Sequence, residues 1–265
     1  MGSQYLGIEA RPLDAVMPAL AQDIVTGVTA TLVALLCLYA FWQAFSAKRN
    51  DRWLIMLVAA SLTILMEPFA CFMVKAHHPA VGAYVLLTGL DVTVPWQLLF
   101  FYILYFAPTA AFLIWRASNG VSATRYWLDF AGIFLLLWGA EALAIHFGVW
   151  FFFDYNPFEV AGLPLWVALT NISAVYAWAV AASYCLDHLK GAARWFTVLA
   201  APFAAIAAYG PVSLPAAVVL YRDGAGYDQT QPAAAISVLV GLGFVFAARH
   251  LLLLSAGRIR PGAIA

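Results

Sequence analysis

Charge is what this chain has least of. Only 10% of its 265 residues are Asp, Glu, Lys or Arg, where a soluble domain carries about 25%. The composition therefore argues against an ordinary water-soluble globule. The formal net charge is +0, which offers no footing for nucleic acid or any other strongly charged partner. Cysteine is equally sparse. Cys37, Cys71 and Cys185 all fall in apolar runs, so they suggest neither a disulfide framework nor zinc-type CxxC spacing. No Walker, Rossmann or GxSxG motif stands in a suitable context.

Long apolar sequence is what the chain has in excess. Hydrophobic residues make up 65% of it. Seven runs, at 24–45, 53–74, 94–116, 127–150, 163–187, 195–221 and 232–254, are each long enough to cross a bilayer core of about 30 Å. The expectation is a single all-α integral-membrane domain over 1–265, a polytopic bundle of seven transmembrane helices whose first partner is the lipid bilayer. The expected location is a bacterial plasma membrane. Glu9, Arg11, Asp14 and Asp23 in the first 23 residues do not read as a secretory signal. With the N-terminus outside, Lys48, Arg49, Arg52, Arg116, Arg125, Lys190, Arg194, Arg249, Arg258 and Arg260 fall on the cytoplasmic side. Only Arg11, Lys75 and Arg222 fall outside. That bias orients the chain with its C-terminus in the cytoplasm. Asn171-Ile172-Ser173 has the glycosylation pattern but sits within a span, so it should be unused.

Seven spans invite two comparisons that the residues resist. A retinal Schiff base needs a lysine inside a span, yet Lys48, Lys75 and Lys190 all lie in loops. Seven-span zinc hydrolases carry paired histidines in the last helix, where this chain has only His250, near the cytoplasmic end.

Two acids do lie inside spans, Glu67 and Glu141. A carboxyl in hydrocarbon is costly and usually faces the bundle interior, where it has a task; the plainer role is hydrogen-bonded packing between helices. Each follows a tryptophan by fourteen residues, Trp53 and Trp127, and Tyr209 follows Trp195 by the same interval. Fourteen helical residues rise about 21 Å, which sets all three side chains at one level. The returning helices match as well. Gly89-Leu90…Pro95-Trp96 precedes one, and Gly162-Leu163-Pro164-Leu165-Trp166 precedes the other. Tyr102 stands seven residues beyond Pro95 and Asn171 seven beyond Pro164, so both descend about 10 Å to the same layer. The pattern is either an internal repeat or a coincidence of helix lengths and interfacial Trp anchors. Pro68, directly after Glu67, is placed to kink its helix and open space beside the carboxyl.

The outer loops contribute His77, His78 and Asp91, then His146 and Asp154 near the second hairpin. His77 and His78 are a solvated loop pair, a proton relay or metal ligands; His146 and Asp91 would complete such a metal set. Asp154 is an orienting partner or a loop cap. Asp129, Asp187, His188 and His250 read as interfacial groups. Among the abundant aromatics, Trp96, Trp138 and Trp166 are candidates for a chamber wall, since ring faces stabilise cations. Carboxylic acids with aromatic walls suit carbocation or oxocarbenium chemistry on a lipid-soluble substrate. An acid kept neutral at working pH is what a general acid requires.

MEP at 66–68, a His- and Gly-bearing outer loop and VPW at 94–96 form a pattern. With Glu141, GVWFFFDY at 148–155 and GLPLWVALTN at 162–171, it resembles the AveC-type membrane spirocyclases. In part it is also similar to carotenoid hydratases and integral-membrane terpenoid cyclases. The resemblance spans roughly 60–185. It departs at Ala70-Cys71, where an acidic residue is expected after Glu67-Pro68. It implies acid-promoted dehydration, cyclisation or isomerisation of a polyketide- or terpenoid-like substrate without a redox cofactor. Glu67 and Glu141 are then the expected catalytic pair, supported by Tyr102, Asn171 and Tyr209, with no metal and no cofactor. The competing expectation is a proton-coupled transporter or small-ligand receptor, for which AYGPVSLP at 208–215 is the candidate mobile segment.

Overall fold

The structure, a computed structural model, describes residues 12–46, 50–153, 155–222 and 225–258. A backbone in hydrocarbon has no water to bond, so each apolar run satisfies its own N–H and C=O groups as helix. The long helices are α1 (Ala19–Phe45), α2 (Arg52–Thr63) continued by α3 (Glu67–Val74), α4 (Trp96–Ser118), α5 (Ala123–His146), α6 (Leu165–His188), α7 (Thr197–Leu220) and α8 (Tyr227–Ser255). With α2 and α3 counted together, seven helical segments are long and apolar enough to cross a membrane. The protein is an all-α polytopic membrane bundle.

Three boundaries move from their expected places. α1 begins at Ala19 because its polar start is anchored rather than solvated. Gln22 donates to the Gly82 carbonyl (3.2 Å) and accepts from the Tyr84 N–H (2.8 Å), stitching the helix to an outer loop. α5 stops at His146, since Gly148 enters the left-handed region at φ 71° and ends the helix as glycine commonly does. α8 opens early, at Tyr227, with Asp228 complementing the positive end of the helix dipole in its first turn. The segment 208–215, the candidate mobile stretch, is regular helix, and α7 runs through Pro202, Pro211 and Pro215. Neighbouring groups take up displaced backbone hydrogen bonds. Beside Pro215, Ser237 of α8 accepts from the Ala216 N–H at 3.2 Å.

α6 is the centre of the bundle, buried along most of its length and packed on α4, α7 and α8. α1 lies outside, against α4 and α2. Gly241 lets α8 approach closely. A Cβ there would stand 3.3 Å from both Leu169 Cβ and Val212 Cγ1.

Short strands join the helices at one end, a detail the all-α expectation omits. β1 (Ala76–His77) pairs with β4 (Phe151–Phe152), β2 (Val85–Gly89) with β3 (Val92–Pro95), and β5 (Glu159–Val160) with β6 (Leu163–Pro164). Both hairpins turn through two residues of positive φ, Leu90 and Asp91 in one (50° and 57°), Ala161 and Gly162 in the other (53° and 80°). Two-residue turns of that kind match the natural twist of paired strands. Gly89 and Gly162 are therefore not equivalent, as the sequence alignment of the two loops supposes: Gly89 closes β2, and Gly162 lies in a turn. The β1–β4 ladder sets matching positions of the two hairpins opposite each other. His77, ten residues after Glu67, faces Phe151, ten residues after Glu141, and Ala76 faces Phe152.

Ion pairs cluster at the opposite end. Arg52 pairs with Asp187, Arg194 with Asp51 at 2.5 Å, and Asp129 receives both Arg116 (2.6 Å) and Arg125 (3.1 Å). Asp129 and Asp187 are thus held by arginines rather than left to interfacial solvent.

Candidate functional site

Glu67 begins α3, directly after a 3-10 turn at Ile64–Met66. Pro68 cannot donate to the preceding turn, and the α-helix restarts there. The hairpin strand β2 uses the room, with Gly89 set so close that a Cβ would lie 3.4 Å from Pro68. The carboxyl is 8% exposed by residue, and that of Glu141 on α5 is 5%. Both line one cavity of about 80 Å³, enough for several waters or the reactive part of a larger ligand. The β1–β4 ladder contributes Ala76 and Phe152 to its wall, and Trp150 adds an aromatic face.

Each acid is held from the returning helix of its own hairpin by the residue seven beyond the proline. Tyr102 on α4 donates to Glu67 Oε2. Asn171 on α6 reaches both oxygens of Glu141, at 3.1 and 2.9 Å. Tyr105, one turn below Tyr102, crosses between the halves and donates to Glu141 Oε1 at 2.8 Å. Its counterpart ten residues beyond Pro164 is Ala174, which lines the cavity without a polar group.

Glu67 has different company. Cys71 Sγ lies 3.2 Å from Glu67 Oε1, and His78 Nε2 lies 2.6 Å from the same oxygen. Lys75 explains how the histidine returns. It ends α3 in the left-handed conformation, φ 55°, and turns the chain back across its own helix end. No Lys or Arg is among the described residues that line the cavity. Glu67 therefore has an imidazole beside it, while Glu141 has neutral donors only.

Of the expected site residues, Glu67, Glu141, Tyr102, Asn171, Tyr209 and His78 meet in this chamber. Tyr209 supplies wall and packs edge-on to Phe69 at 6.5 Å. The others lie elsewhere. Trp96 is exposed at the start of α4 and Trp166 is wholly buried in the core. Trp138 and His146 line an outer groove on α5. His77 packs on Phe151, and Asp91 sits exposed in a hairpin turn. Asp154 lies outside the described residues. His77, His78, His146 and Asp91 do not form the metal set considered above; among the described residues, the clustered potential ligands are Glu67, Cys71 and His78. Cys71 went unassigned in sequence, although its spacing of four from Glu67 puts it on the same helix face. Trp150 lies in the GVWFFFDY stretch, where sequence gives it no role of its own, and Tyr105 is one of many aromatics in its helix.

Comparison with known protein families, curated proteins and solved structures found no match.

Proposed function

We propose that the protein is an intramembrane acid–base enzyme, a cyclase, dehydratase or isomerase acting on a hydrophobic terpenoid- or polyketide-like substrate. The observation that carries this is the pairing of two buried carboxyls, in unlike settings, on one aromatic chamber. Two acids whose surroundings differ are how a site divides proton donor from proton acceptor. Glu141, held by neutral donors, is the group assigned to donate, and Glu67, with an imidazole beside it, the group assigned to accept. The substrate's alkene, hydroxyl or epoxide takes that proton. Glu67 and the faces of Phe101, Tyr105 and Trp150 stabilise the positive charge that develops, and Glu67 or its imidazole neighbour takes up the proton released. Isomerisation or cyclisation leaves the proton count unchanged, and dehydration releases one water.

The AveC-type likeness supports the same chemistry, and membership of that group is part of the proposal, as are the N-outside orientation and residence in a bacterial plasma membrane. The decisive experiment incubates purified protein in vesicles with a hydrophobic extract of its native host in deuterated buffer. The expected product is isomeric with its precursor and carries deuterium on carbon where an alkene took the proton, or is one water lighter than its precursor, the deuteron leaving with the water. Uptake of an unchanged solute driven by a pH gradient would instead establish a transporter. Tyr105→Phe removes one of the three hydrogen bonds accepted by Glu141. At about 1 kcal/mol per bond, turnover in this assay falls roughly fivefold, with little change in thermal stability.

A further inference from the structure

Glu67, Cys71 and His78 do more than bracket a carboxyl. Glu67 Oε1, Cys71 Sγ and His78 Nε2 form a closed triangle with edges of 2.6, 3.2 and 3.4 Å. A proton relay passes through a histidine by its two different nitrogens, as a base with an orienting group behind it. Here both partners meet the same nitrogen, so three ligand atoms converge on one point. Zinc bonded tetrahedrally to O, N and S at about 2.0–2.3 Å requires edges of roughly 3.3–3.6 Å. Two edges are already near that, and the third opens once the proton shared between Glu67 and His78 leaves.

Three further observations point the same way. Tyr102 donates to Glu67 Oε2, the oxygen outside the triangle, which is how a ligating carboxylate is usually oriented. A carboxylate and a thiolate together balance a divalent ion, so the complex is neutral, as an apolar interior requires. All three residues also line the chamber, leaving a side for a fourth ligand, the arrangement of catalytic rather than closed structural zinc sites.

We propose that Glu67, Cys71 and His78 bind one divalent transition-metal ion of the zinc type, with its open position facing the chamber. The binding stands independently of the acid–base reading. What the ion would take there, a hydroxyl or carbonyl oxygen of the occupant, rests on that reading; with the ion bound, Glu67 and His78 are ligands, and their proton-accepting role belongs to the metal-free protein. His78 Nδ1 is buried without a hydrogen-bond partner, so without metal the ring proton belongs on Nε2, facing Glu67. Metal on Nε2 moves it to Nδ1, where its unmet donor weakens the site relative to one with a bonded imidazole.

The test uses the full chain in detergent, stripped with chelator and titrated with zinc, then with cobalt. One equivalent of zinc is expected, with a thiolate-to-cobalt charge-transfer band. Cys71→Ala abolishes the band, and His78→Ala weakens zinc binding by at least tenfold. Tyr102→Phe weakens it about 10- to 100-fold, while Cys185→Ala changes neither. Should Cys71→Ala fail to fold, Cys71→Ser keeps the side chain's size and still loses the band. Sub-stoichiometric binding by the wild type, or a band that survives in the folded Cys71 variant, overturns the proposal. Because every readout is metal binding, failure here leaves the acid–base function standing, and failure of turnover leaves the metal site standing.

Discussion

Glu141→Gln is expected to end turnover while leaving the protein folded. Glutamine keeps the shape of the side chain and still accepts the hydrogen bond from Tyr105, which reaches Oε1 at 2.8 Å. Asn171 meets both oxygens, and its amide can turn to offer its own oxygen to the new NH₂, since the two ends of an amide are interchangeable in size. The expected change in thermal stability is therefore within about 1 kcal/mol. The proton is what is lost. General acid catalysis typically contributes about 10²–10⁴-fold, and the rate should fall by that much. Glu67→Gln also removes activity, but it takes the carboxylate away from His78 as well, and its stability cost is the larger of the two. Turnover on the true substrate and the unfolding midpoint, measured on the same preparations, check both. Wild-type turnover by both variants would sink the acid–base assignment.

Gly241→Leu should have the largest effect on the fold. Even a single added carbon meets Leu169, Val212 and the Ser173 hydroxyl at 3.3–3.4 Å, so the substitution wedges α8 away from α6 and α7. Overpacking of this kind costs about 1–3 kcal/mol, and small residues at membrane helix contacts are there to permit close approach. The measurement is the midpoint of thermal unfolding in detergent. Gly243, which meets nothing within 4 Å, is the control, and Gly243→Leu should leave the midpoint unchanged. Equal midpoints for the two variants would show that the close approach contributes nothing.

Helix geometry made the layer legible. Tyr102 and Asn171 were placed by counting seven residues from a proline, and each indeed bonds the acid of its own hairpin. That count works because rise per residue is nearly constant along a helix. Cys71 was equally within reach, one helical turn from Glu67. Rotation about the helix axis was the harder quantity in a chain with so few polar residues. Trp138 lies three residues from Glu141, yet lines the outer groove rather than the chamber.

His78 marks the other boundary. It is eleven residues from Glu67 and touches the same oxygen because Lys75 adopts a left-handed conformation and the β1–β4 ladder holds the following strand. Neither has a period to read. Composition and run length alone dictated seven helices in a bilayer, because hydrocarbon leaves a backbone no other way to meet its hydrogen bonds. Helical rise then set two acids at one depth. The unlike settings of those acids, an imidazole and a thiol at Glu67 against neutral donors at Glu141, arose only when the hairpins paired and packed. Contacts between distant segments depend on loop conformation and helix rotation, which local sequence leaves open until the folded chain closes them.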